Sequence, residues 1–222
     1  MFKKYLTQGY FFLFSALNAQ KILFLSPEKS LFHQSTNVVP IKKPATGKLL
    51  IAEPFLEDTN FKRSVVFMCE HNEHGTFGLV LNQPTNLKLN DVLREPVVNN
   101  LPLYLGGPVE QNTLHFLHQL SFIEDSIPVG GNCFWSGDFE QIVSLLNVGK
   151  ITEQDIRFFI GYSGWSTGQL EDEINEKAWI IADSTPSFLF DTPADQLWRS
   201  VLRQMGGEYR VKSHYPIDPS LN

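Results

Sequence analysis

Three short apolar runs near the head of the chain constrain its fold more than any other feature: Lys48-Leu-Leu-Ile-Ala-Glu53, Ser64-Val-Val-Phe-Met-Cys-Glu70 and Phe77-Gly-Leu-Val-Leu-Asn82. Each is too short for a stable helix, and turn-forming residues punctuate them, Pro54 after the first and Gly75 between the second and third. Runs of this length and composition pack as buried strands. The polar stretch 71–76 predicts a hairpin loop of about five or six residues. Further short strands are expected at 103–105 and 114–118, around Gly106-Gly107-Pro108, and at 156–160 and 179–182.

Helical spacing enters in the second half. Phe139, Ile142, Val143 and Leu146 share one face, with Asp138 to cap the start and Gly149 to end the helix. A second helix is expected through Gln169 and Ile174, with acids in its early turns where the helix dipole favours them. The third has Thr192 as N-cap, Pro193 at the first helical position, a stripe of Ala194, Leu197, Trp198, Val201, Leu202 and Met205, and a stop at Gly206-Gly207. Strands that lead and helices that mix in later predict an α+β fold. No repeat, low-complexity stretch or Gly/Ser-rich linker divides residues 47–222, so one domain is expected after the leader.

Charge is unevenly spread. Residues 1–47 carry six lysines and one acid, a net +5, whereas the rest carries 12 basic and 23 acidic residues, a net −11. A body this acidic repels phosphate, so direct nucleic-acid binding is disfavoured. Residues 1–20 have the outline of a secretory signal, with Lys3 and Lys4 before a phenylalanine-rich run, but Leu17 spoils the cleavage site. The run is also too short to span a membrane, which takes ~20 apolar residues. Residues 1–46 are therefore set aside as a leader, disordered or arising from a mis-set start. Two cysteines, Cys69 and Cys133, exclude a disulfide scaffold and suit a reducing compartment.

The densest polar cluster is Cys69-Glu-His-Asn-Glu-His74. Its histidines are three apart in an expected loop, which is not the helical spacing of a zinc protease, and no second cluster adds ligands. No metal or other cofactor is expected. Cys69 with His71 offers a nucleophile and base two residues apart, although a cysteine within Val-Val-Phe-Met-Cys is more often buried and inert. His115 and His118 are expected on a half-exposed strand. Gly161-Tyr-Ser-Gly164 misses the hydrolase nucleophile elbow by one glycine position. The wider segment 161–171 reads as a glycine-rich strand-to-helix turn, able to offer backbone N–H groups to an anion or simply to pack Trp165. Glu171, Asp172 and Glu173 read as a solvated helix face.

Taken in order, Lys48-Leu-Leu-Ile-Ala-Glu-Pro-Phe-Leu, Phe61-Lys-Arg-Ser-Val-Val, Cys69-Glu-His-Asn, Gly78-Leu-Val-Leu-Asn-Gln-Pro84, Gly106-Gly-Pro108, Gly161-Tyr-Ser-Gly-Trp165, Gly168-Gln-Leu-Glu171 and Trp179 resemble the bacterial AlgH/YqgE family. The resemblance covers roughly residues 47–210. It implies a single domain in which a bifurcated, mostly antiparallel sheet forms a pseudo-barrel flanked by helices. It also implies a protein of unestablished activity, often labelled a transcriptional regulator. Boundaries follow at 47–212, with 213–222 as a C-terminal tail. Two departures stand out: the leader is longer than the family's, and Cys133-Phe-Trp-Ser-Gly-Asp138 replaces its Thr/Ser-rich lead-in to a helix.

These residues lead to the expectation of a cytoplasmic, non-enzymatic binding or regulatory protein whose partner is a small ligand or another protein. Its recognition surface is expected to gather Glu70, His71, Asn72, Asn82, Gly106, Gly107, Tyr162, Trp165, Gln169 and Glu171, because loops at strand ends usually do the recognising. The alternative is an enzyme using Cys69 or His71 in thiol or acid-base chemistry.

Overall fold

The structure, a computed structural model, describes residues 42–216. The readings made for residues 1–41 and for the end of the tail lie outside the described residues. In chain order the elements are β1 (Lys48–Ala52), β2 (Val65–Asn72), β3 (Gly75–Val80), β4 (Pro84–Lys88), α1 (Leu89–Val92), β5 (Pro102–Leu105), β6 (Val109–His118), β7 (Ile127–Pro128), β8 (Phe134–Trp135), α2 (Phe139–Asn147), β9 (Ile156–Ser166), α3 (Gln169–Asn175), β10 (Trp179–Asp183), a π-helical turn (Ser187–Asp191), α4 (Ala194–Met205) and α5 (Gly207–Lys212).

The strands form one sheet ordered β10-β1-β2-β3-β9-β6-β8-β7, which does not close. It branches at β9. The C-terminal half of β9 pairs antiparallel with β3, from Ser163 to Ser166, while its N-terminal half pairs antiparallel with β6 and parallel with β5. The result is the expected α+β architecture, a bifurcated and mostly antiparallel sheet with helices packed against it.

Three cores follow from the sheet's alternation, because successive strand residues face opposite sides. Leu49, Phe67, Cys69, Leu79 and Phe159 face the π-helical turn and the α4 stripe of Leu197, Trp198, Val201 and Leu202. Leu50, Val66, Met68 and Val80 face the other way, onto Trp165, Leu170 and Trp179. In the second arm, Leu103, Phe116 and Phe158 pack on Ile142 and Leu146 of α2. Each fully buried aliphatic or aromatic side chain of this kind stabilises the fold by ~1.5–3 kcal/mol.

Local chemistry explains the element ends. Asp138 accepts from the backbone N–H groups of Glu140 and Gln141 and caps α2 as its position predicts. The expected cap at Thr192 does not form, since its hydroxyl donates instead to the Ser187 carbonyl and closes the π-helical turn. Gly206 ends α4, but the chain resumes at once as α5, which the double glycine had concealed. The hairpin loop is also tighter than expected: β2 and β3 pair out to Asn72 opposite Gly75, leaving Glu73 and His74 alone in the turn. Gly75 makes that closure possible, as its φ of +136° suits glycine and a Cβ there would sit 2.3 Å from the Trp165 carbonyl oxygen.

At the start of the described residues, Lys42 and Lys48 both bind the Asp183 carboxylate, and their two hydrogen bonds hold its pKa down to about 2. At the other end, Arg63 donates to the carbonyls of Tyr215 and Pro216 and lies over the Trp198 ring at 3.9 Å.

Candidate functional site

A β-bulge governs the hairpin tip. Met68 lies opposite Gly78 but Glu70 lies opposite Phe77, so two residues of β2 advance for one of β3. The extra residue reverses the inward and outward alternation beyond it. Cys69 therefore points into the core beside Phe67, while His71, two residues on, lies opposite Thr76 on the reverse face. The nucleophile-base pairing considered for Cys69 and His71 fails for this reason. Burial pushes the Cys69 thiol well above the ordinary range, and the neighbouring Cys133 and Glu70 raise it further. Cys133 is likewise pushed up to about 12 by burial.

The tip meets the end of β9 and the start of α3. His71 Nδ1 lies 2.8 Å from Thr76 Oγ1, and its Nε2 lies 3.6 Å from Glu171 Oε1. Thr167 donates its hydroxyl to the Glu73 carbonyl at 3.1 Å, and Thr76 lies opposite Trp165 in the ladder. Asn72 donates to Glu70 Oε1 at 2.6 Å and accepts from the His74 N–H at 2.8 Å. The hairpin turn and the start of α3, far apart in sequence, thus share one exposed edge carrying Glu70, Asn72, Glu73, Gln169, Glu171 and Asp172.

Beneath this edge, Glu173 has a role that the charge run hid. Its Oε2 accepts from both indoles, Trp165 Nε1 at 2.9 Å and Trp179 Nε1 at 2.7 Å, and its Oε1 accepts from Gln169 at 2.9 Å. Glu173 is not part of a solvated face but the half-buried anchor of two buried tryptophans. Two tryptophans flanking a short acidic helix are the signal that would have found it, because a buried indole N–H needs an acceptor. Gln169, though exposed, is tied down locally as well, its side-chain oxygen accepting from the N–H and hydroxyl of Ser166.

The glycine-rich segment is mostly strand, since β9 runs through Gly161 to Ser166 and only Thr167 and Gly168 turn. Trp165 packs into the buried cluster with Leu170 and Trp179, as the packing reading of this segment expects. Gly161, at φ +68°, is the bend that lets β9 continue.

On the opposite face of β3, Phe77 stacks on Tyr162 at 4.7 Å and packs against Trp135 at 4.7 Å and His115 at 5.3 Å. Thr113 donates its hydroxyl proton to the Glu110 carbonyl at 2.8 Å, so Thr113 Oγ1 accepts from His115 Nε2 at 2.9 Å. Burial lowers the His115 pKa to about 4. Burial, aided by Glu110, raises that of Tyr162. His118, expected half-exposed, is fully buried; burial lowers its pKa, its Nδ1 accepts from Leu120 N–H and its Nε2 donates to the Ser136 carbonyl at 2.8 Å.

Of the ten residues singled out from sequence, His71, Asn72, Glu70, Gln169, Glu171 and Trp165 lie at or just beneath the shared edge. Tyr162 belongs to the aromatic face. Asn82 does not join them: its side chain binds the Val65 N–H and the Arg63 carbonyl at the far end of β3, about 20 Å from the turn at ~3.3 Å per strand residue. Gly106 and Gly107 are seams between strands. The Gly106 carbonyl accepts from Val80 N–H and the buried Ser163 hydroxyl, and a Cβ on Gly107 would lie 2.3 Å from the Tyr162 backbone. Thr76, Phe77, His115, Trp135 and Glu173 are the site residues that sequence reasoning missed. Among the described residues, no group of three or more His, Cys, Asp or Glu is placed to hold a metal ion, and no helix is long and apolar enough to cross a membrane.

Comparison with known proteins agrees with this architecture. A UPF0301 protein of Cytophaga hutchinsonii is 46% identical over 178 residues, covering 79% of this chain and 98% of its own. Another, from Chlorobium luteolum, is 42% identical over 182 residues, covering 82% and 96%. Among solved structures, protein DIP2367 from Corynebacterium diphtheriae superposes with a TM-score of 0.67 at 26% identity, covering 81% of this chain and 96% of its own. The solution structure of AlgH from Pseudomonas aeruginosa gives a TM-score of 0.63 at 28% identity, covering 79% and 97%. The family model described as AlgH-like (DUF179) matches residues 49–210, and with these relatives it establishes that the chain belongs to the AlgH-like family.

Proposed function

We propose that this chain is a non-enzymatic binding and regulatory protein of the cytoplasm, which engages a protein partner through the acidic edge at its hairpin tip. One observation carries the reading: His71 Nε2 and Glu171 Oε1 stand 3.6 Å apart, joining two remote segments into one edge on a rigid sheet. Glu70, Glu73, Glu171 and Asp172 are all exposed there, which suits a basic segment of a partner. The inward turn of Cys69 counts against the thiol version of the enzymatic alternative, leaving only acid-base chemistry at His71. The −11 charge of residues 48–222 opposes direct contact with DNA, so any regulation of transcription passes through the protein partner.

The test is affinity capture from bacterial extract by the native chain and by a Glu70→Lys/Glu171→Lys variant. A partner held by the native chain, released by moderate salt and lost from the variant supports the reading. Capture of the same partners by both proteins, or retention of the native chain on double-stranded DNA at low salt, defeats it.

A further inference from the structure

The bulge that turns Cys69 inward also brings Glu70 round to the aromatic face. Glu70 on β2, Phe77 on β3 and Gly164 on β9 stand in one row across three strands. Asn72, Gly75 and Ser166 form the next row toward the tip. Cross-strand partners share a face, so both rows lie on the side that carries the Phe77 ring.

Gly75 and Gly164 put no side chain there, which leaves the sheet bare on two sides of Phe77. Gly164 is exposed, and a Cβ on it would meet, beyond its chain neighbours, only the Tyr162 ring, 3.2 Å away at its nearest atom. The result is a shallow trough floored by Gly164. One wall is the half-exposed Tyr162 ring, which ends the stack that continues through Phe77 to Trp135. On the far side, two strand spacings or about 10 Å from Gly164, stands Glu70. Glu70 is exposed, accepts from the Asn72 amide through Oε1, and pairs with no cation among the described residues.

An exposed aromatic ring and an unneutralised carboxylate at opposite sides of a bare strip suit one side chain above others. A guanidinium is flat enough to stack on the ring, and its fork of N–H groups can bind a carboxylate; an ammonium stacks poorly and pairs only as a point charge. The trough is continuous with the acidic edge through Asn72, which lies in it and accepts from the turn residue His74.

We propose that this trough receives an arginine side chain from the basic segment of the protein partner, the guanidinium on the Tyr162 ring and directed toward Glu70. The proposal rests on the acidic-edge reading and names the side chain that the edge selects.

The experiment is an NMR titration of the full chain with two capped pentapeptides of equal charge, one alternating arginine with glycine and the other lysine with glycine, at constant ionic strength. Both should shift the Glu171 and Asp172 amides saturably, as the acidic edge requires. Only the arginine peptide should shift the Tyr162 and Gly164 amides, and it should bind about fivefold more tightly, the strength of one exposed cation–ring contact. Tyr162→Leu should abolish that preference and Tyr162→Phe should keep it. Gly164→Thr, which fills the floor at an exposed strand position, should abolish it while leaving the lysine peptide's affinity unchanged. Equal affinities for the two peptides, or a preference that survives both Tyr162→Leu and Gly164→Thr, overturns the trough and leaves the acidic edge standing. Shifts at Gly164 without shifts at Glu171 uphold the trough and defeat the edge, and no binding of either peptide overturns both.

Discussion

On one face of β3, the indole N–H groups of Trp165 and Trp179 converge on a single oxygen of Glu173. On the other face, the buried indole N–H of Trp135 meets no acceptor among the described residues. Both faces bury aromatic rings at similar spacings: Trp165 and Trp179 lie 5.8 Å apart edge to face, and Phe77 and Tyr162 lie 4.7 Å apart stacked. The difference lies in the polar atoms. One face is tied together by a carboxylate, so its geometry is directional; the other depends on ring contacts and on an imidazole that must stay neutral. Similar apolar burial can therefore be fixed in place by quite different polar chemistry.

The largest expected effect comes from Glu173→Ala, which strips the acceptor from two buried indoles and should lower stability by about 3 kcal/mol in urea unfolding. Glu173→Gln keeps one acceptor oxygen and should lose less. A loss under about 0.5 kcal/mol in the alanine variant would break the contrast between the faces.

Acid should act through the other face. The His115 pKa is about 4 in the folded chain against 6.5 for the free side chain, so the unfolded chain binds the extra proton between these values. The contribution from neutral His115 is complete above about pH 6.5, declines as pH falls and is gone below about pH 4, at a cost of about 3 kcal/mol. Unfolding followed across this window should show the decline, and His115→Phe should remove that part of it. An NMR titration in which His115 protonates near pH 6.5 would contradict the assignment.

A smaller change sharpens the comparison from the opposite direction. Trp135→Phe keeps a ring and deletes the unmatched donor, so stability should stay within about 1 kcal/mol of the native value, in contrast to the loss expected from Glu173→Ala. The smallest effect should be that of Glu171→Gln at the exposed edge. Its stability cost should be under about 0.5 kcal/mol by urea unfolding, since the contact to His71 is half exposed.

Much of this fold was legible because the sheet's strands announce themselves. The Val-Val-Phe-Met run of β2, the Leu-Leu-Ile run of β1 and the α4 stripe carry periodicities that burial enforces on both sequence and structure. Residues at the hairpin tip carry no such signal. His71, Asn72 and Thr76 are polar because one side of the tip is wet, yet they pair as strand, so composition shortened both strands and lengthened the loop. The bulge at Cys69 and Glu70 was invisible for a different reason: an extra residue in one strand is defined only by its partner. Meeting of the hairpin with the start of α3 could be anticipated from strand-end loops, whereas the seam roles of Gly106 and Gly107 depend on backbone approaches that only the assembled sheet creates. Asn82 illustrates the same limit, since an amide that ties two strands together reads in sequence just like one that greets a ligand.

β9 hydrogen-bonds to β3, β5 and β6 and so belongs to both arms of the branched sheet. No cut along the chain can separate those arms into two pieces that each keep their own complete ladder, because whichever fragment retains this strand deprives the other of its wall. The shared strand makes the two arms one cooperative unit in folding and unfolding.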